Sequence, residues 1–324
     1  MYDVNDYGRM MADPVRMHAY TEALRRAVKP GCVVVDVGTG TGIFALLAAK
    51  FGARKVYAID TNPCIRLAHD VAKRNGLADR IEFINKSVFD LKLPEKADVV
   101  IADCRGAFTL HARNLEIMIR ARSFLHPDGT MIPLRDELFV ALVDWPSLYE
   151  DLEKRWRAGG FDWAACRAEC MSTLHVAPDA DLAGARFLVD GEKWAVVDYA
   201  TLSSPNVLRK HVEAEAKTAG RGHFLVLWFV SIATEGFSLG SAPCQNERQV
   251  YTPVLLPLDP PFDVAAGETV TMGIDALHNG RGYVFAWTVR GRAGNRRQIS
   301  EGNAAHVLAL NSLGERGTLG PGYS

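Results

Sequence analysis

The sequence predicts an α/β domain with a parallel sheet and a nucleotide-type binding turn, followed by a mainly antiparallel β half. Three observations carry that reading. Asp36-Val-Gly-Thr-Gly-Thr-Gly joins an apolar run to a helix-spaced segment, which is the strand-to-helix junction where open α/β sheets bind ligands. Strand and helix patterns alternate on either side of it. Beyond Pro133 the pattern changes to strand-like runs between Gly-, Pro- and Asp-rich turns.

The elements follow in order. Residues 14–28 carry a helix pattern that Lys29-Pro-Gly ends. Cys32-Val-Val-Val-Asp-Val is a continuous apolar run, as a parallel strand buried on both faces requires. Gly38-Thr-Gly-Thr-Gly turns into a helix from Ile43, and Gly52 suits its C-terminal cap. Lys55-Val-Tyr-Ala-Ile-Asp reads as the next strand, 62–75 as a helix, and 80–84 and 97–103 as two more strands. Residues 113–124 look helical, and His126-Pro-Asp-Gly-Thr-Met-Ile-Pro turns into a further strand. In the β half, strand-like runs at 138–143, 194–199, 224–232 and 283–289 are interrupted by helical stretches near 146–157 and 162–171. The expected domains are 1–133 and 134–324, the second barrel-like with a helical arm near 146–171, and the Gly-rich residues after Leu313 are expected to fray.

Composition sets the outer limits. A chain of 324 residues exceeds what one hydrophobic core usually serves. Lys plus Arg number 37 against 38 Asp plus Glu, so no general electrostatic footprint favours nucleic acid or a membrane surface as partner. The first residues carry neither a basic region nor an apolar one, and a cytoplasmic protein is expected. Cys32, Cys64, Cys104, Cys166, Cys170 and Cys244 form no CxxC pair, which argues against a disulfide framework and against a metal site.

The glycine turn carries the chemistry. Its pattern is GxGxG, and Ile43 stands where the dinucleotide GxGxxG pattern needs glycine. That argues against a pyrophosphate cradle and a nicotinamide oxidoreductase. Gly38 and Gly40 permit close backbone approach to a ligand, and Asp60 ends the second strand where an acid can take ribose hydroxyls.

With these residues in order, the chain resembles the protein arginine methyltransferase family of class I S-adenosylmethionine-dependent methyltransferases, whose first domain is Rossmann-like. Asp13-Pro-Val-Arg-Met-His-Ala-Tyr looks like the segment before the core, and Val33-Val-Val-Asp-Val-Gly-Thr-Gly-Thr-Gly-Ile like the first motif. Phe51-Gly-Ala-Arg-Lys-Val-Tyr-Ala-Ile-Asp is similar to the second motif, and Leu125-His-Pro-Asp-Gly-Thr-Met-Ile-Pro to the segment joining the two domains. Gly160-Phe-Asp and Gly236-Phe-Ser extend a weaker likeness into the β half. The resemblance implies S-adenosylmethionine as cofactor. Arg16 would pair with its carboxylate, Met10 would lie near the sulfonium, and Asp36, Gly38, Thr39 and Gly40 would hold the amino-acid end. Asp60 and Thr61 would sit at the ribose, and Ser87 and Val88 at the adenine; where the family has an acid next, Phe89 stands, with Asp90 one place on. A homodimer is implied too, made through the helical arm.

On the acceptor side the chain departs from the family. The family's loop carries two glutamates that clamp a guanidinium; here Asp103 stands at the first position, Ala112 at the second, and Arg105 lies between them. The family's Thr-His-Trp loop has no counterpart, since the region around Gln249-Val-Tyr lacks histidine. The expected acceptor is therefore a small molecule or modified peptide methylated on nitrogen or oxygen. Asp103 would orient it, Arg105 would hold a nearby carboxylate or phosphate, and His111 is a candidate base. The alternatives are arginine methylation and a non-catalytic, cofactor-binding relative.

Overall fold

The computed structural model describes residues 2–243 and 250–300. Cys244, Gln249 and the tail after Leu313 lie outside the described residues. Strand β1 (Val33–Val37) is buried along its whole length and pairs in parallel with β2 (Lys55–Ile59) on one side and β4 (Ala97–Ala102) on the other. With β3 (Ile81–Ile84) and β5 (Leu125–Ile132) this makes a five-stranded parallel sheet in the order β3-β2-β1-β4-β5. The strand order reverses between β1 and β4, and beyond their C-terminal ends lies the crevice such sheets use for ligands. Helix α3 (Ile43–Lys50) follows β1, α4 (Ile65–Arg74) follows β2, and α5 (Asn114–Arg122) follows β4.

Two helices precede the sheet. The second, α2 (Pro14–Ala27), was expected; Asp13 caps it through the Arg16 amide and Pro14 opens it. The first, α1 (Val4–Ala12), was not. An Asp3–Asp6 capping box starts it, it runs through Gly8, and none of its residues is buried.

The β half consists of two antiparallel sheets. The first has the order β7-β12-β10-β6-β8, with β6 (Arg135–Asp144), β7 (His175–Val176), β8 (Arg186–Asp198), β10 (Gly220–Thr234) and β12 (Val254–Val264); β11 (Phe237–Gly240) pairs with β10. The second runs β15-β14-β13-β9, from β9 (Val207–Glu215), β13 (Thr269–His278), β14 (Tyr283–Gly291) and β15 (Gly294–Ile299). In β13, buried and half-buried positions alternate, as a strand with one face on a core should show. One hydrophobic core runs from Tyr20 and Val35 through Leu138 to Trp287. Helix α2 ties the halves together, with Arg26 over the Phe237 ring at 4.5 Å and bonded to the Glu235 carbonyl.

Between β6 and β7 lie α6 (Pro146–Lys154) and α7 (Ala164–Met171). Tyr149, Leu152 and Met171 pack with Trp145, Phe224 and Trp228 in a second apolar cluster, so the base of the arm rests on its own sheet. Between the helices Phe161 is 74% exposed and Trp163 38%, and their rings meet edge to face.

Candidate functional site

The C-terminal ends of β1, β2 and β4 deliver Asp36, Asp60 and Asp103 to one crevice. Gly38 and Gly40 have φ of +75° and +55°, a left-handed backbone that strains any side chain. The turn they form brings the Gly40 amide onto Asp60 Oδ2 at 2.7 Å, while Asp60 Oδ1 accepts from the Asn62 amide. Asp60 thus closes the turn as well as facing the crevice, and burial raises its pKa. The sequence reading left the space beside both glycines to a ligand. The structure fills it with protein: a Cβ on Gly40 would lie 2.3 Å from the Tyr7 ring, and one on Gly38 2.6 Å from Cys104 Sγ. Helix α1 therefore lies over the turn, held there by Asn62 Nδ2, which donates to the Tyr2 carbonyl and the Tyr7 hydroxyl.

Asp36 is buried, and its Oδ2 accepts from the Thr39 hydroxyl at 2.6 Å and the Ala45 amide at 3.0 Å. Its Oδ1 has no partner, although it is buried. Burial pushes the Asp36 pKa up to about 7, with Asp60 adding to the rise. An unpartnered buried carboxylate oxygen at the mouth of a glycine turn is a place for a cationic group. Further along, Ser87 caps a short 3-10 turn through the Phe89 amide, Val88 is buried with its carbonyl accepting from Arg120, and Phe89 is covered by the Arg113 guanidinium at 3.9 Å. Thr61 is exposed beside Asp60.

The acceptor side requires corrections. Arg16, expected to pair with a cofactor carboxylate, is bonded to Asp103, 87 positions away. Its Nε and Nη2 both lie 2.9 Å from Asp103 Oδ2, Nη1 donates to the Met10 carbonyl, and the guanidinium sits over the rings of Phe44 and Tyr20. Arg105, expected to hold an acceptor's carboxylate or phosphate, is 2% exposed. Its Nε donates to Asp103 Oδ1 at 3.0 Å, Nη1 to both oxygens of Asp136 at 3.0 Å, and Nη2 to the Tyr20 hydroxyl. Asp136 also accepts from Thr109 and Tyr199 at 2.7 Å each. Arg16 and Arg105 face Asp103 and Asp136, so the charges balance and no cation is left over for an anionic acceptor.

Asp103 is the hinge of this lattice. Burial alone would raise its pKa, but Arg16 and Arg105, then the Tyr251 hydroxyl at 2.7 Å, outweigh burial and hold it at about 2. Asp103 is thus held as a carboxylate, suited to accepting hydrogen bonds. His111 lies behind Gly106, a wall residue of the cavity beyond the loop. Its ring packs against Gly106, whose Cβ would lie 2.5 Å away, and burial lowers its pKa. Ala112, where the resemblance places a second glutamate, has φ of +43°, and its carbonyl lies 3.1 Å from His278 Nε2 of β13.

Beyond the loop lies a cavity of about 950 Å³. Gly106, Ala107 and Met10 form one wall, and Ser241, Val250 and Tyr251 another. Its charged lining is Asp6, Arg9, Asp13, Asp179 and Asp181, with Arg9 paired to Asp6. Among the described residues, four carboxylates against one guanidinium make the chamber acidic. Tyr2, Tyr7, Asn62, Asp136, Tyr199 and Tyr251 were all missed in the sequence. A signal existed for Asp136 alone: it occupies the inward phase of β6 with Leu138, Val140 and Leu142, where an acid needs a buried partner.

Comparison with known proteins agrees with this geometry. A family model described as ribosomal protein L11 methyltransferase (PrmA) matches residues 19–132. Protein arginine N-methyltransferase PRMT10 of Oryza sativa subsp. japonica is 38% identical over 164 residues, 44% of this chain and 43% of that one. The probable histone-arginine methyltransferase CARM1 of Oryza sativa subsp. indica is 29% identical over 296 residues, 86% of this chain and 56% of that one. The relatives are protein arginine methyltransferases. The chain spans about half the length of these relatives. In fold it matches the Trypanosoma brucei PRMT1 enzyme-prozyme heterotetrameric complex with AdoHcy, with a TM-score of 0.80 and 23% identity over 90% of this chain and 96% of that one. Arabidopsis thaliana protein arginine methyltransferase 10 matches with a TM-score of 0.77 and 21% identity over 92% of this chain and 98% of that one. Among arginine methyltransferase folds, the shared architecture is the parallel sheet followed by the antiparallel β half.

Proposed function

We propose that the chain is an S-adenosylmethionine-dependent methyltransferase that transfers its methyl group to arginine side chains of a protein or peptide. The observation that carries this reading is the charge balance of the acceptor side. The small-molecule reading rested on Arg105 as a free cation, whereas its charge is compensated by Asp103 and Asp136, and the adjoining chamber is acidic. A cationic acceptor suits such a chamber, and the named relatives act in the same sense.

The cofactor residues fit. Bound S-adenosylmethionine supplies a methyl group already activated on a sulfonium, so the protein has to align the acceptor and exclude water. Asp36 Oδ1 is available to the cofactor's ammonium, Asp60 to the ribose, and the Ser87–Val88 turn to the base. The Tyr7 side of α1 closes over the glycine turn and keeps water out. Asp103 holds a fixed negative charge through which an acceptor N–H can be oriented. The exposed Phe161 and Trp163 between α6 and α7 favour a homodimer made through the arm.

A non-catalytic, cofactor-binding role is the second reading, favoured by the absence of a carboxylate at Ala112. Labelled-methyl transfer to arginine-rich peptides, lysine-rich peptides and free amines separates these. Label on arginine is expected. Label only on free amines would return the acceptor to a small molecule, and cofactor binding without transfer to any of them would favour the regulatory role.

A further inference from the structure

Asp103 does not line the acidic chamber, and neither does Arg16 or Arg105. Among the described residues bonded to Asp103, Tyr251 alone does, so it links the chamber lining to the carboxylate. Asp103 Oδ2 accepts from Arg16 Nε and from the Tyr251 hydroxyl, with Arg16 Nη2 as close, and Oδ1 accepts from Arg105 Nε. A carboxylate offers about four acceptor positions, so the carboxylate is close to saturated. The two guanidiniums are buried charges whose withdrawal would be costly. The hydroxyl is neutral and sits on the chamber side.

We infer that Tyr251 is a gate on the acceptor: its hydroxyl holds, on Asp103 Oδ2, the place that an acceptor N–H takes during the reaction. This rests on the methyltransferase reading and adds a specificity rule to it. On Oδ2 an acceptor N–H takes its place by displacing a good hydrogen bond. A cationic N–H donor replaces it with a stronger, charge-assisted one, whereas a neutral donor merely exchanges like for like. Tyr251 is thus a positioning residue that selects for charge without touching the methyl group. Its segment is tied down on either side, at Val250 by the Asp13 carboxylate and at Pro253 by the Ala177 amide, and its ring packs edge to face on Phe229, so the exchange at the hydroxyl needs no movement of the backbone.

The test compares wild type with Tyr251→Phe, which keeps the ring and removes the hydroxyl. Two readouts are used. Calorimetric titration with ethylguanidinium, in saturating S-adenosylhomocysteine, reads the site without turnover. Steady-state kinetics on an arginine peptide reads it during turnover. The gate predicts that Tyr251→Phe binds ethylguanidinium roughly three- to tenfold more tightly, the worth of the hydrogen bond no longer displaced. The peptide KM falls by a similar factor and kcat changes less. Discrimination between ethylguanidinium and neutral ethylurea narrows. Equal or weaker ethylguanidinium binding in Tyr251→Phe overturns the gate, because a hydroxyl that merely supports Asp103 would weaken the site when lost. Tighter ethylguanidinium binding without peptide turnover in either protein would keep the gate and reject the methyltransferase reading.

Discussion

Asp136 is fully buried and serves the acceptor loop from the first strand of the β half, so replacing it with asparagine probes the lattice that the charge argument depends on. The substitution keeps the shape and removes one negative charge. Arg105 would then retain Asp103 alone, which it shares with Arg16, and two buried guanidiniums would face one carboxylate. Removing one partner of a buried pair costs about 3–5 kcal/mol, because the other charge is left uncompensated. Asp136→Asn should lose that much in chemical denaturation. Arg105→Met should lose a comparable amount, since it leaves Asp136 buried and unpaired. The double variant Arg105→Met/Asp136→Asn should lose at least about 2 kcal/mol less than the sum of the two, which is the signature of directly coupled sites. A loss below about 1 kcal/mol in Asp136→Asn, or additivity of the two, would refute the reasoning, for it would mean that the lattice is solvated and that Arg105 can turn to face an acceptor.

Three further outcomes are expected. Burial raises the Asp36 pKa to about 7, so affinity for S-adenosylhomocysteine should rise as pH climbs through about 7 and then level off, and Asp36→Asn should abolish that step. The sign is opposite for the cofactor-free protein, where a raised carboxyl pKa removes stability as pH rises from about 4 to 7. Asp60→Ala, which loses the turn closure and the proposed ribose contact, should weaken S-adenosylhomocysteine binding at least about tenfold by calorimetry. Phe161→Ser combined with Trp163→Ser should convert a dimer to a monomer by light scattering at micromolar concentration, while leaving the thermal transition of the sheet core in place.

How far these features were legible follows from where their physics resides. The parallel strands showed themselves because β1 and β4 are covered on both faces and so read as continuous apolar runs. The glycine turn was legible because its backbone requirement is local. Helix α1 was not, since it has no buried residue to create a periodic pattern and the Tyr7 ring meets Gly40 only in the folded chain. The ion pairs of Arg16 and Arg105 were not legible for a related reason. A charge in a sequence carries no label for its partner, and theirs come from 87 and 31 positions away. The acceptor reading turned on that one assignment: with Arg105 free the site resembles a neutral or anion-tolerant one, and with Arg105 bound to Asp136 it does not.

The proposed acceptor is a guanidinium cation drawn into an acidic chamber. The most direct measurement pairs a peptide bearing one arginine with the same peptide bearing citrulline, the neutral counterpart of nearly the same shape, and follows methyl incorporation by tandem mass spectrometry with S-adenosylmethionine present. The account predicts methyl on the arginine side chain and none on citrulline, with the arginine peptide binding the more tightly. Equal binding of the two, or methylation that ignores the exchange, would contradict it.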